Sequence, residues 1–356
     1  PEARAAGAGA APADPPQTDI ERTIAGYWQD LLGVAVGRQD SFFDLGGHSL
    51  IAVRLFAQIR RAFGTDFPIS ALFEAPTVAA LAALIEARIG PRDGAAPAAP
   101  PARPRFTHLV PMHQGEGGPG QPFFLVAGMF GNVLNLRHLA QLLGGDRPFY
   151  GLQARGLLGE DAPHRTLPEA AAAMIAEIRQ MQPRGPYLIG GFSGGGLTAW
   201  EMAQQLTAAG EGVTGLVLLD TLLPVRPVVS RADRLLIKLQ EMREAGLRFI
   251  PDYIRAKRDW RRLQAERAAA GPEDAGAFHN TAIEAAFLAA LPVYDLRPWD
   301  GPVALFRPPI DRRWRVTGGR WVSRAREFVS DDNGWSPHAP DLTVIEVPGD
   351  HDSMVL

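Results

Sequence analysis

The serine at position 193 stands in a context that could make its hydroxyl group a nucleophile. The segment GFSGG (residues 191–195) follows a short apolar run, YLIG, and precedes a helical pattern, GLTAWEMAQQL. A serine in a sharp turn between strand and helix is a nucleophile elbow, whose small neighbours let the two elements approach closely. The alternatives are a glycine-rich turn of a doubly wound sheet or a degenerate phosphate loop. The second lacks the lysine of a Walker motif, and the catalytic interpretation is favoured.

A serine hydroxyl is a weak nucleophile at neutral pH, so a base must accept its proton. Where the elbow occurs, the partners follow in the order serine, acid, histidine, and three histidines come late enough: His279, His338 and His351. His351 lies in the turn VPGDHDSM, just beyond the last predicted strand, where a loop could present it over the sheet edge. Because His279 lies at the margin of a predicted lid and His338 in a proline-flanked loop, His351 is the predicted base.

The predicted acid is Asp220, which ends the apolar run VTGLVLLD. An aspartate at the carboxyl end of a buried parallel strand lies on the ligand-binding edge of the sheet. Its alternative role is to cap the following turn. Asp350 and Asp352 flank the histidine, but sequence neighbours rarely reach back onto the same ring.

Acyl transfer also needs two N–H donors where negative charge develops on the reacting oxygen. The first predicted donor is Gly194, directly after the serine. The second is expected in the loop after the strand PFFLV, where residues 127–131 (AGMFG) provide flexible backbone, and Met129 is predicted to supply it.

A second serine, Ser49, ends the segment DSFFDLGGHS (residues 40–49). The residues that follow, 51–63, repeat apolar side chains at helical spacing. Ser49 is therefore expected at a helix N-terminus, where free N–H groups and the helix dipole favour a phosphodiester. The simpler alternative is that Ser49 only caps this helix.

The segment around Ser49 strongly resembles the phosphopantetheine attachment site of peptidyl carrier domains in nonribosomal peptide synthetases. That pattern runs D-x-F-F-x-L-G-G-H-S-L, where x marks open positions. The resemblance implies a 4'-phosphopantetheine group covalently attached to Ser49. It also implies two kinds of partner, a phosphopantetheinyl transferase and upstream synthase domains.

Composition divides the chain into two predicted domains. Residues 1–17 and the Ala/Pro-rich residues 90–106 are predicted to be linkers. Between them, residues 18–89 are expected to form a small all-α bundle: a helix capped by Thr18, a long loop, the helix after Ser49 and a last helix from Thr77. The resemblance to carrier domains covers this whole module.

Residues 107–356 are predicted to form an α/β domain. Short apolar runs at 122–126, 187–189, 213–219, 303–306 and 342–347 alternate with helical patterns, which favours a mostly parallel sheet covered on both faces. The basic, helix-prone stretch 230–270 contains no strand candidate. It is predicted to belong to a helical lid inserted over about residues 224–290.

This second part resembles the thioesterase domains that end nonribosomal peptide and polyketide synthases. The likeness is spread over GPYLIGGFSGGG, the strand ending in Asp220, IEAAFLAALPVYDLRPWDGPVALFRP and VPGDHDSM. It implies an α/β-hydrolase fold with Ser193, Asp220 and His351 as the catalytic triad. Two departures stand out: many relatives have His-Pro or Pro-Pro where this chain has Ala127-Gly128, and relatives usually add a last helix after the histidine.

Composition excludes several functional classes. The net charge of −3 gives no electrostatic case for nucleic acid, and the absence of cysteine rules out disulfides, a thiolate nucleophile and cysteine-based metal sites. No metal site is predicted. Since no apolar run approaches the length of a membrane span and the start lacks a signal pattern, a cytoplasmic, monomeric fragment of a longer polypeptide is expected.

Taken together, these features predict product release from a modular synthase. An acyl or peptidyl thioester on the arm of Ser49 would pass to Ser193 and leave by hydrolysis or intramolecular cyclisation. The alternatives are a free-standing serine esterase with an N-terminal docking module, a binding scaffold with an inactive triad, and an editing thioesterase. The acyl group and the mode of release are not readable from the motifs.

Overall fold

The structure is a computed structural model. It describes residues 14–47, 49–65, 67, 71–90, 106–113, 120–157, 161–246, 258 and 280–355. Most of the two predicted linkers, 1–17 and 90–106, lies outside the described residues, and the domain boundaries stay predictions.

The N-terminal part is the small helical bundle expected from the sequence. The helices among its described residues are α1 (Asp19–Leu32), α2 (Ser49–Phe63), α3 (Ala71–Glu74) and α4 (Val78–Ile89). Thr18 caps α1 through a reciprocal capping box with Glu21, and Thr77 caps α4 by accepting from the Ala80 N–H group. The short helix α3 was not predicted.

The core of the bundle is formed by the apolar faces of these helices. Ile24 and Trp28 of α1 and Leu55 and Ile59 of α2 are fully buried, as the helical spacing predicts. Phe42, from the loop before α2, is also fully buried, and its ring meets that of Trp28 edge-on at 5.1 Å between centroids. This contact anchors the loop that leads to Ser49.

In the described residues of the C-terminal part, one sheet is formed by the strands β1 (Leu109–His113), β2 (Phe123–Val126), β3 (Phe149–Leu152), β4 (Tyr187–Phe192), β5 (Val213–Leu219), β6 (Val303–Arg307) and β10 (Leu342–Glu346). Their order in the sheet is β1-β3-β2-β4-β5-β6-β10, and neighbouring strands are parallel except for the β1–β3 pair. Helices α5 (Arg137–Leu142), α6 (Leu167–Met181) and α7 (Gly195–Ala208) lie between its strands. The predicted mostly parallel α/β fold is thus confirmed.

Two strands of the sheet were missed by sequence reasoning, and both lie on one side of β2. Strand β1 contains Pro111, and β3 is only four residues long and contains Gly151. Proline and glycine weaken the strand signal, so neither segment is recognisable without its neighbours.

The predicted lid interval, residues 224–290, is only partly described. Helices α8 (Arg231–Ala245) and α9 (Asn280–Ala290) fall within it, but most of 246–279 lies outside the described residues. Helix α8 packs against a small antiparallel sheet that was not predicted, through an apolar cluster that includes Ile237 and Trp314. The strands of this sheet are β7 (Trp314–Arg315), β8 (Trp321–Val322) and β9 (Phe328–Val329). Within the described ranges, no helix is long and apolar enough to span a bilayer.

Candidate active site

Ser193 occupies the turn between β4 and α7, at the carboxyl edge of the sheet. Its φ angle is +53°, a left-handed conformation that non-glycine residues rarely adopt. Its backbone N–H donates to the Leu219 carbonyl at 2.8 Å, which fixes the turn against the end of β5. A Cβ on Gly191 would overlap with the backbone of Gly195, and a Cβ on Gly195 would overlap with the Ala127 carbonyl. The glycines therefore permit the close approach of strand and helix.

His351 lies between Ser193 and Asp220 and contacts both. Its Nε2 is 3.0 Å from the Ser193 Oγ, and its Nδ1 is 2.7 Å from the Asp220 Oδ2. The imidazole also stacks on the Phe192 ring, with 5.1 Å between centroids. Residues at the ends of three different strands, β4, β5 and β10, thus form one hydrogen-bonded chain.

The surroundings of His351 raise the pKa of its imidazole above the ordinary value. The hydrogen bond with Asp220 raises the pKa of His351, partial burial opposes that shift, and the charges of Asp220, Asp352 and Asp350 add to it. In the neutral ring the Nδ1 must carry the hydrogen because a carboxylate can only accept, and the Nε2 lone pair then faces the serine hydroxyl. This is the arrangement of a base poised to take the serine proton.

The other sequence candidates are placed elsewhere. His338 sits in the loop before β10, where its carbonyl accepts from the Trp299 N–H and its N–H donates to the Trp335 carbonyl. The Asp350 carboxylate accepts from the Ser353 N–H and hydroxyl, so it caps the turn that carries His351. His279 lies outside the described residues.

Asn333 is a residue of the site that sequence reasoning missed. Its Nδ2 donates to the Asp220 Oδ1 at 3.1 Å and to the Thr221 carbonyl at 3.3 Å. It therefore holds the carboxylate oxygen that His351 does not use. Asn333 itself has a φ of +50°, a conformation that asparagine tolerates, but no motif links it to a residue so far away in sequence.

The two predicted oxyanion residues are brought together. Met129 lies in the turn after β2, which is closed by the Gly131 N–H donating to the Gly128 carbonyl at 2.8 Å. Gly194 is the residue before α7, and a Cβ on it would lie 3.2 Å from the Met129 Cβ and 2.7 Å from the Phe287 ring. Since Gly194 directly follows Ser193, the Met129 turn lies close to the Ser193 turn.

A mostly apolar cleft opens next to this turn. Its empty volume is about 550 Å³, part of which is open to solvent. The apolar lining of the cleft includes Met129, Leu152, Met174 and Phe287, and its polar lining includes His164. Within the described part of the chain, no group of three or more acidic or histidine side chains could hold a metal ion.

Ser49 is the first residue of the 15-residue helix α2, as predicted. The first turn of α2 contains no acidic side chain, so nothing there repels a phosphodiester. Gly46 before it has a φ of +91°, and a Cβ on Gly47 would overlap with Phe42. The position of the Ser49 hydroxyl group lies outside what the structure describes, but the backbone fits an attached phosphate.

Two protein-family models match the chain. One describes a phosphopantetheine attachment site and matches residues 22–85, and the other describes a thioesterase domain and matches residues 121–271. The chain joins a carrier domain to a thioesterase domain. This carrier–thioesterase didomain confirms both resemblances stated above, and its carrier implies a serine-linked 4'-phosphopantetheine.

The didomain is similar to parts of much longer proteins. Chondramide synthase of Chondromyces crocatus is 38% identical over 216 residues, which are 60% of this chain and 5% of that protein. A dimodular nonribosomal peptide synthase of Bacillus subtilis is 38% identical over 229 residues, which are 63% of this chain and 9% of that protein. A crystal structure of a holo four-domain nonribosomal peptide synthetase bound to AMP and glycine is also similar, at 26% sequence identity and a TM-score of 0.54. The alignment covers 100% of this chain and 26% of the synthetase chain.

Proposed function

We propose that this didomain releases the product of a modular synthase. It transfers the acyl or peptidyl group carried at Ser49 to Ser193 and releases it by hydrolysis or intramolecular cyclisation. The observation that carries this proposal is the hydrogen-bonded chain from Asp220 through His351 to Ser193 in a protein that also contains a carrier domain. Upstream synthase domains and a phosphopantetheinyl transferase are the partners that a carrier domain implies.

In this proposal Ser193 is the nucleophile, His351 the base and Asp220 the group that holds the base. As the Ser193 Oγ attacks the thioester carbonyl, its proton passes over 3.0 Å to the His351 Nε2. The imidazolium that forms is stabilised by Asp220 at 2.7 Å. His351 then gives the proton to the leaving sulfur, and an acyl-Ser193 ester remains.

The backbone N–H groups of Gly194 and Met129 are the proposed oxyanion donors. Gly194 directly follows Ser193 and Met129 lies close to Gly194, and fixed N–H donors there stabilise the charge that develops on the reacting oxygen. A main-chain donor does not depend on the type of side chain. The change from the relatives' His-Pro or Pro-Pro to Ala127-Gly128 therefore leaves this role open to Met129.

When bound at Ser49, the 4'-phosphopantetheine supplies a thiol that carries the acyl group as a thioester on a flexible arm. Because the carrier and the thioesterase share one chain, attack by Ser193 is intramolecular. A short tether raises the effective concentration to about millimolar. The predicted linker, residues 90–106, sets that concentration.

The second half of the reaction depends on which nucleophile reaches the ester. His351 can deprotonate a water molecule, which gives a free acid, or an amine or hydroxyl of the acyl chain, which gives a ring. Helix α9, in the predicted lid interval, brings Phe287 to the Ser193 turn. We propose that this helix limits access of water to the ester.

The experiment that tests the proposal starts from chain loaded with candidate acyl groups by a phosphopantetheinyl transferase. Mass spectrometry of the released product separates hydrolysed from ring-closed material. The Ser49→Ala chain is the control: it should gain no phosphopantetheine mass and release nothing. Failure of loaded wild-type chain to release any acyl group would refute the proposal.

Two observations on the chain disfavour two of the competing functions. The carrier match disfavours a free-standing esterase, and fusion to one carrier disfavours an editing enzyme, which must visit many. Labelling of Ser193 by a fluorophosphonate would exclude an inactive scaffold. The cytoplasmic location and monomeric state predicted from the sequence stay predictions.

A further inference from the structure

The carrier contacts the thioesterase through the loop before α2, and α3 also approaches β1. The loop before α2 supplies Phe43 and Asp44, and the segment after β2 supplies Leu134 and Arg137. The Arg137 guanidinium lies over the Phe43 ring, 4.2 Å from its centroid, and 3.6 Å from the Asp44 Oδ1. The Arg137 side chain thus contacts two consecutive residues of the loop that precedes Ser49.

Leu134, from the thioesterase part of the chain, packs into the apolar core of the carrier. It is only 8% exposed and belongs to the same buried cluster as the carrier's own core, against which Phe43 and Leu45 also pack. Leu134 begins a single turn of 3₁₀ helix that leads directly into Arg137, the first residue of α5. The apolar contact and the charged contact therefore come from one rigid segment.

The energetics of the contact indicate recognition rather than strong binding. The Asp44 side chain is 76% exposed, and an exposed ion pair contributes little to stability. Burial lowers the pKa of Arg137 while Asp44 opposes that shift, so the guanidinium is partly withdrawn from water. Its place at the start of α5 gives it no support from the helix dipole.

Phe43 and Asp44 differ in how well they can distinguish this carrier from other carriers. In the attachment-site pattern D-x-F-F-x-L-G-G-H-S-L, Phe43 falls on a fixed position and Asp44 on an open one. An aromatic ring at position 43 can serve any thioesterase that presents a cation. The charge at position 44 can distinguish one carrier from another.

We propose that Arg137 recognises this chain's own carrier by stacking on Phe43 and pairing with Asp44, and that the Asp44–Arg137 pair selects the cognate carrier for discharge. The kinetic consequence rests on the proposed function, whereas the docked geometry does not. The turn that contains Met129 precedes Leu134 by five positions. The docking segment therefore follows closely after the loop of the proposed oxyanion donor.

The test is a charge swap in the full chain. Asp44→Arg and Arg137→Glu should each slow single-turnover discharge of the loaded carrier about fivefold, the size expected for an exposed pair plus a cation–π contact. The double variant should discharge faster than Arg137→Glu because it restores the ion pair, but it should stay below wild type because the stacking on Phe43 is still lost. Asp30→Arg on an exposed part of α1 and Arg226→Glu on the thioesterase surface are the matched controls, and neither should change the rate.

Hydrolysis of a small soluble thioester separates the two proposals. All variants should hydrolyse it at the wild-type rate, because none of these residues touches Ser193. If wild-type chain neither hydrolyses it nor discharges its carrier, the proposed function fails. If both reactions proceed and the single charge reversals discharge at the wild-type rate, the docking inference is overturned.

A second readout measures docking without any reaction. The chain has no cysteine, so cysteines placed at the exposed residues Gln29 and Ala209 of the unmodified chain can carry two spin labels. The interspin distance distribution should be narrow, should broaden in Arg137→Glu, and should narrow again in the double swap. An unchanged distribution in the single variant would overturn the inference.

Discussion

Replacement of Asp220 by asparagine tests the proposed relay most severely. The change keeps the size of the side chain but removes the negative charge 2.7 Å from the His351 Nδ1. It also lets an amide N–H group face the imidazole, which favours the tautomer whose Nε2 carries the hydrogen. That tautomer cannot accept the Ser193 proton.

The size of the effect follows from the geometry. Two unit charges about 4 Å apart interact by about 4 kcal/mol at an effective dielectric constant of about 20. The His351 side chain is 42% exposed, and solvent screening reduces this to about 2 kcal/mol. With a further loss of about 2 kcal/mol from the wrong tautomer, acylation of Ser193 should slow about 10³-fold.

The pH profile gives the second signature of the same variant. Asp220 raises the pKa of His351, and the base must be neutral to act, so wild-type acylation should increase as the pH rises through that raised pKa. Without the carboxylate, burial dominates and lowers the pKa of His351, so the inflection should move to lower pH. The assay is the rate of fluorophosphonate labelling of Ser193 against pH, followed by intact mass. A rate within tenfold of wild type, with an unmoved inflection, would refute the reasoning.

Three further predictions concern the residues around this relay. Asn333→Gly keeps the left-handed backbone conformation accessible but removes the hydrogen-bond donor to Asp220. Fluorophosphonate labelling of Ser193 should therefore slow about tenfold, as expected for the loss of one hydrogen bond to a charged group. An unchanged labelling rate would contradict a positioning role for Asn333. Gly195→Ala should lower the free energy of unfolding by about 3 kcal/mol or more because the new methyl group overlaps with the Ala127 carbonyl. Urea denaturation measures this change, and Gly215→Ala in β5, where a Cβ meets nothing closer than 3.8 Å, is the control. Phe287→Ala should open the Ser193 turn to water and raise the ratio of hydrolysed to cyclised product, so a ratio that falls would count against water exclusion by α9.

The residues that the structure brings together around Ser193 lie where local sequence rules predict them. The turn at Ser193 is dictated by glycines whose Cβ atoms would overlap with neighbouring backbone, and Asp220 and His351 each follow a strand at the same edge of the sheet. A strand or helix pattern followed by a polar residue is visible without knowledge of the fold.

Contacts between residues far apart in the chain could not be predicted from the sequence in this way. Asn333 reaches Asp220 across 113 positions, and Arg137 meets Phe43 only because the two domains are docked. Neither contact has a periodic or spacing signature. Strands β1 and β3 were missed because their identity depends on pairing with β2 and with each other rather than on their own residues.

Transfer of the acyl group from Ser49 to Ser193 is tested most directly by intact-mass analysis of the loaded Ser193→Ala chain. The variant should accept the acyl-phosphopantetheine group at Ser49 and keep it, while wild-type chain discharges it under the same conditions. Discharge of the Ser193→Ala chain at the wild-type rate would contradict the account.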